Sequence, residues 1–160
     1  MKIKGDNMKK NKGFSLVELI IVIAIMAILV GVIAPVMMHF IEKSNVSSDY
    51  QLADTIRSCL SYSIVDAKVK EDPASQPKLN AMEAGPIDIA TLDDGSVLKE
   101  SVVDYLGVDP STLTSQIRSK HGSGSQIMVS TVNGIVKVTI TQTDSTGRKN
   151  YSAGNDIEVQ

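Results

Sequence analysis

The chain has 160 residues, 42% of them apolar and 21% charged, with four Tyr, two Phe and no Trp, which is material for one modest globular domain and excludes a multidomain enzyme. The formal net charge of −2 conceals a split, because residues 1–13 set five lysines against Asp6 for a local +4 and leave −6 on residues 14–160. That acidic remainder excludes a polyanion, nucleic acid included, as its main ligand. Cys59 is the single cysteine, so no intramolecular disulfide forms and the chain folds on its core alone.

The first element along the chain is an apolar run without a charge, Leu19 to Met38, 20 residues long. As a helix it spans roughly 30 Å, about the thickness of the bilayer hydrocarbon core. The chain is therefore single-pass, and the lysines before the run place its N-terminus in the cytoplasm and the rest outside. A secretory signal cleaved after the run is disfavoured: signal-peptide apolar cores are about 7–15 residues long and end in a small-x-small site, whereas His39-Phe40-Ile41-Glu42-Lys43 follows here. A plain signal anchor, for its part, has no use for Glu18 at the edge of the hydrocarbon, where an ionised carboxylate needs a partner. Cleavage after Gly13 would create one, a new α-amino group on Phe14 near the helix N-terminus, where a carboxylate is also favoured by the helix dipole.

Gly13-Phe14-Ser15-Leu16-Val17-Glu18 followed by an apolar run resembles the class III signal of type IV prepilins and pseudopilins. The resemblance implies that a membrane prepilin peptidase cuts between Gly13 and Phe14 and N-methylates Phe14, and that Glu18 pairs with the terminal amine of a neighbouring subunit during assembly. Gly31 and Pro35 stand four residues apart in the run, with Pro35 at the family's position; the family often kinks or melts its helix there, and generic membrane-helix flexibility is the other reading. The start lies at Met1 or at Met8, and either leaves a basic leader.

Beyond the membrane run no Pro or Gly interrupts residues 39–70, and Val46, Tyr50, Ala53, Ile56, Leu60, Ile64 and Ala67 recur at helical spacing. Asp49, Asp54, Arg57, Ser61 and Lys68 fall on the other side, and Glu71-Asp72-Pro73 ends the pattern. This predicts one helix of more than 50 residues from Phe14, apolar all round in its first half and one-sided in its second. Cys59 reads as a small buried hydrophobe, with pairing between chains as the alternative, and His39 as an interfacial residue.

Pro73, Pro77, Gly85 and Pro86 mark a linker over residues 72–90. Val97 to Leu106 reads as a short helix with Leu98, Val102 and Leu106 on one face and Gly107 as its stop, and Asp109-Pro110-Ser111 starts another short turn or helix. Asn133-Gly134 between alternating apolar residues is a two-residue hairpin cue. Pairing Val132 with Ile135 sets Ile127, Val129, Thr131, Val136, Val138 and Ile140 on one face to cover the helix stripe. Asp144-Ser145-Thr146-Gly147 reads as a turn, and residues 151–159 as a further, edge strand.

These readings give an α+β fold, type IV pilin-like, in which a small antiparallel sheet packs on the outer half of a long helix. The segments are a cleaved leader at 1–13, the membrane and filament-core half of the helix at 14–41, its amphipathic half at 42–71, a variable loop with short helices at 72–125 and the sheet region at 126–160. No metal-spaced His/Cys set, phosphate loop or nucleophile elbow occurs, so catalytic residues, metal and cofactors are all expected to be none. His121 reads as a solvated loop residue, and Asp88, Asp93, Asp94 and Glu100 as a charged surface. The resemblance further implies identical or related pilin subunits in a helical homopolymer, an inner-membrane assembly platform with its ATPase, and a surface pilus as the destination. A pseudopilin or minor pilin of a type II secretion or DNA-uptake machine is the alternative, and an uncleaved signal-anchored receptor a third.

Overall fold

The computed structural model describes residues 14–119 and 125–141, together with the backbone of 157–159. The leader with Gly13, His121, the Asp144–Gly147 turn and most of residues 151–159 lie outside the described residues. Helix α1 runs Leu16–Ser63, 48 residues, and the chain divides into two units, one ending at Phe40 and one from Ile41 onward.

In the first unit every described residue is exposed, and the helix passes through Gly31 and Pro35 without an interruption in its assignment. Proline has no N–H, so the Gly31 carbonyl loses its usual i→i−4 donor. Leu29, Val30 and Ile33 are all more than half exposed. An apolar surface of this extent is stable only against lipid or other apolar helices.

In the second unit α1 meets α2 (Ala67–Glu71), α3 (Gln76–Ala84), β1 (Ile87–Asp88), a 3-10 turn (Ile89–Leu92), α4 (Val97–Leu106), a second 3-10 turn (Pro110–Gln116), β2 (Ile127–Val132), β3 (Ile135–Ile140) and β4 (Ile157–Val159). The four strands form one antiparallel sheet in sequence order. Its inner face supplies Ile127, Val129, Val136, Val138 and Ile140 to a core shared with Ala53, Ile56 and Leu60 of α1. The expected hairpin register is observed, Val132 opposite Ile135 and Thr131 opposite Val136. Its turn has φ 53° at Asn133 and 77° at Gly134, the backbone a two-residue loop needs to match strand twist.

Helix α4 also follows its sequence: Leu98 and Val102 are buried, Leu106 packs against the core, and Gly107 at φ 71° caps the end by donating to the Val103 carbonyl.

Three expectations are corrected. The long helix stops at Ser63, short of residue 71, because Val65 and Asp66 donate to Tyr62 and Ser63 in tight turns. Asp66 is then extended, and its carboxylate accepts from the Lys68 N–H to cap α2, a local bond that competes with helix continuation. Residues 72–90 are no plain linker: Pro77 sits in the first turn of α3, where a missing N–H costs nothing, and Ile87–Asp88 pair with β2. The buried stripe of α1 is also turned by one position. Tyr50 and Ala67 are exposed, while Asp49, assigned to the polar side, is buried at 1% exposure.

Candidate functional site: the helix start and the assembly surface

Phe14 is 94% exposed, and Phe14 and Ser15 precede the first helical residue. Ser15 acts as N-cap, its hydroxyl accepting from the Val17 N–H at 3.2 Å, while Glu18 Oε2 accepts from the Ser15 N–H at 2.9 Å. This reciprocal pair satisfies donors that the helix leaves open and sets a carboxylate at the positive end of the dipole. Glu18 thus has a partner within its own chain, which the sequence reading missed in looking to the Phe14 amine; the pattern Ser-x-x-Glu before an apolar run could have found it. Phe14 and Glu18 flank this cap; Gly31 and Pro35 lie four and nearly five turns further along the same helix, away from it.

Sequence reasoning missed the role of Asp49. Its two carboxylate oxygens accept from the backbone N–H groups of Arg118 at 2.8 Å and Ser119 at 3.0 Å, fixing the segment after the second 3-10 turn against α1. It also missed Asp72, which accepts from Ala74, from the N–H and hydroxyl of Ser75 and from the Val97 N–H, while the Ser75 hydroxyl accepts from Leu98. The Ser75 hydroxyl first, and the Val97 amide after it, hold the Asp72 carboxyl below the ordinary aspartate range.

The four acids considered together in the sequence do not form a cluster. Asp88 caps the 3-10 turn through Ala90, Asp93 pairs with Lys99, and Asp94 pairs with Lys78. Among the described residues no group of three His, Cys, Asp or Glu is placed to hold a metal ion. Cys59 is 4% exposed, and its thiol donates to the Val102 carbonyl at 3.6 Å. Burial pushes this thiol up to about 11, against a smaller lowering by Ser63, so it is a poor nucleophile at neutral pH.

A family model described as the prokaryotic N-terminal methylation motif matches residues 8–34. A fimbrial protein of Moraxella nonliquefaciens is 41% identical over 54 residues, 34% of this chain and 35% of that protein, so this match spans about a third of the relative. A fimbrial protein of Pseudomonas aeruginosa is 28% identical over 152 residues, 92% of this chain and 97% of that protein. No solved structure matches. The chain is thus similar to fimbrial proteins over nearly its whole length, and the matched methylation motif covers the start of its unburied apolar helix.

Proposed function

We propose that this chain is a prepilin cut between Gly13 and Phe14, methylated on Phe14, and built into a surface filament through the apolar half of α1. The observation that carries the reading is the unburied apolar half of α1, most of which falls within the residues 8–34 that match the methylation motif. Before assembly the segment holds the subunit in the cytoplasmic membrane, with the lysines inside and the head outside. In the filament the same surface packs against its copies, exchanging lipid contacts for helix contacts. The role is structural, not catalytic, and the implied partners are a prepilin peptidase, further pilin subunits and the assembly platform with its ATPase.

Glu18 changes partner on this path. In the uncut chain its carboxylate accepts from the Ser15 N–H. Once cleavage exposes the Phe14 amine, a neighbouring subunit offers an ammonium group, and pairing with it neutralises two charges that the filament core desolvates and sets the register between copies. Mass spectrometry of membrane-extracted protein, with electron microscopy of surface filaments, tests both steps in wild type and Glu18→Ala. Expected are a mature chain starting at methylated Phe14 in both, and filaments from wild type alone. Intact residues 1–13 in the mature protein, or normal filaments from Glu18→Ala, overturn the proposal.

A further inference from the structure

Three exposed side chains stand where α1 gives way to α2 and α4 passes beside it: Tyr62 at 65%, Val65 at 67% and Tyr105 at 60% exposure. The Tyr62 and Tyr105 rings lie 5.9 Å apart, centroid to centroid, and are tilted by 34°. Tyr105 walls a cleft of about 350 Å³ that also takes in Asp66, Glu100 and Asp104 with Lys68 as its cation. Among the described residues Asp66, Glu100 and Asp104 form no ion pair. Glu100 and Asp104 stand one turn apart on α4, a like-charge spacing that costs stability until a cation sits between them. An exposed tyrosine pair beside the Glu100 and Asp104 carboxylates fits a guanidinium, which stacks on a ring and bonds a carboxylate with two parallel N–H groups. Tyr and Arg are also the residues that carry most of the energy at interfaces.

The complementary group is on the same chain. Arg118 is exposed, makes no ion pair among the described residues, and has its backbone fixed by Asp49. It lies in clefts with Ser44, Asn45, Ser48 and Gln51 of α1. From Ser48 to Tyr62 the helix advances about 21 Å, so the cation and the aromatic cleft sit toward opposite ends of the helical part of the head and do not meet within one copy. Two different surfaces that match each other make a heterologous contact, which extends as an open helical array.

We infer that the cleft walled by Tyr105 receives Arg118 of a second copy of this chain, in a head-to-tail contact that repeats without closing. The inference rests on the filament reading above and names the head surfaces that would join in it. Neither surface draws on the apolar half of α1, so the contact acts in addition to the packing of the filament core.

The test uses the full-length chain in cells that make filaments, with sheared filaments and the membrane-held pool quantified side by side. Arg118→Glu alone, and Glu100→Lys with Asp104→Lys, are each expected to lower filament yield at least about tenfold, since like charges then face each other across the contact. Arg118→Lys, which keeps the charge but not the paired N–H donors, gives a yield between wild type and Arg118→Glu, and the chain carrying all three reversals recovers filaments. Wild-type yield in either reversed variant, or no recovery in the combined chain, overturns the inference; a foreign partner for the cleft would give the first of these results. Filaments missing from wild type overturn the filament reading itself, before any variant is compared. A second measurement needs no loss of assembly: chains with Lys68→Cys and Gln116→Cys are expected to oxidise into a ladder of linked copies within sheared filaments, with Cys59 buried. Monomers alone after oxidation of intact filaments overturn the contact.

Discussion

Asp49 shows how one residue escapes a reading made from hydropathy. The stripes 46-50-53-56-60 and 49-53-56-60-63 share three positions and differ by one step of the helix, and Tyr50 looks more apolar than an aspartate. What decides between them is a partner 69 residues away in sequence, the Arg118 N–H, which no local pattern records. Burial of an acid is tolerated because both oxygens accept from amides that would otherwise be stranded. Asp49→Ala therefore leaves two backbone donors without a partner and is expected to lower stability by about 2–6 kcal/mol, at about 1–3 per stranded group. Asp49→Asn keeps one acceptor oxygen and loses less. Urea unfolding of detergent-solubilised protein measures both, and equal loss in the two variants would contradict the assigned bonds. The Ser15–Glu18 cap differs in kind, since both partners lie within four residues and were readable from the sequence.

At the scale of elements, legibility followed the reach of the cause. The apolar run, α4 with its glycine stop and the β2–β3 hairpin are each specified by neighbours in sequence, and their places agree with expectation. The end of α1 turns on a competition between Asp66 capping α2 and the helix continuing, which spacing alone does not resolve. Strand β1 is two residues long and exists only through its pairing with β2, so no periodicity could reveal it. The hairpin turn offers a clean test of a local cause. No heavy atom lies within 4 Å of a Cβ added at Gly134, so Gly134→Ala meets no clash, yet φ 77° disfavours any L side chain. The expected loss is about 1–2 kcal/mol, arising in the backbone alone. Thermal unfolding checks it, and an unchanged midpoint would mean that the turn is not held in this conformation.

Across the whole molecule, the acidic character of residues 14–160 becomes a set of separate ties that share one response to pH. Asp72 joins the α2–α3 turn to the start of α4. Asp93 is held low chiefly by Lys99 and then Ser111; for Asp94 desolvation is the largest single effect and pushes up, but the bonds from Ser96 and the Lys78 charge together outweigh it and hold the carboxyl low. For each, the folded carboxyl titrates below its unfolded value. Their stabilisation is therefore complete above the unfolded aspartate range, about pH 4, and is lost as pH falls through the lower folded values. Lys99 is shifted up, by its bond to Asp93 against some desolvation, so its contribution holds below the ordinary lysine range and fades only at strongly alkaline pH. The two titration ranges do not overlap, so among these groups the loss in acid comes from the aspartates. The melting temperature of residues 41–160 should thus fall as pH drops below about 4. Asp72→Asn should flatten this fall without abolishing it, since Asp93 and Asp94 still titrate, and should lower the midpoint at neutral pH because one charged acceptor is gone. Circular dichroism melts of wild type and variant across that range decide the matter: parallel curves would show that Asp72 does not bind its four donors as a carboxylate.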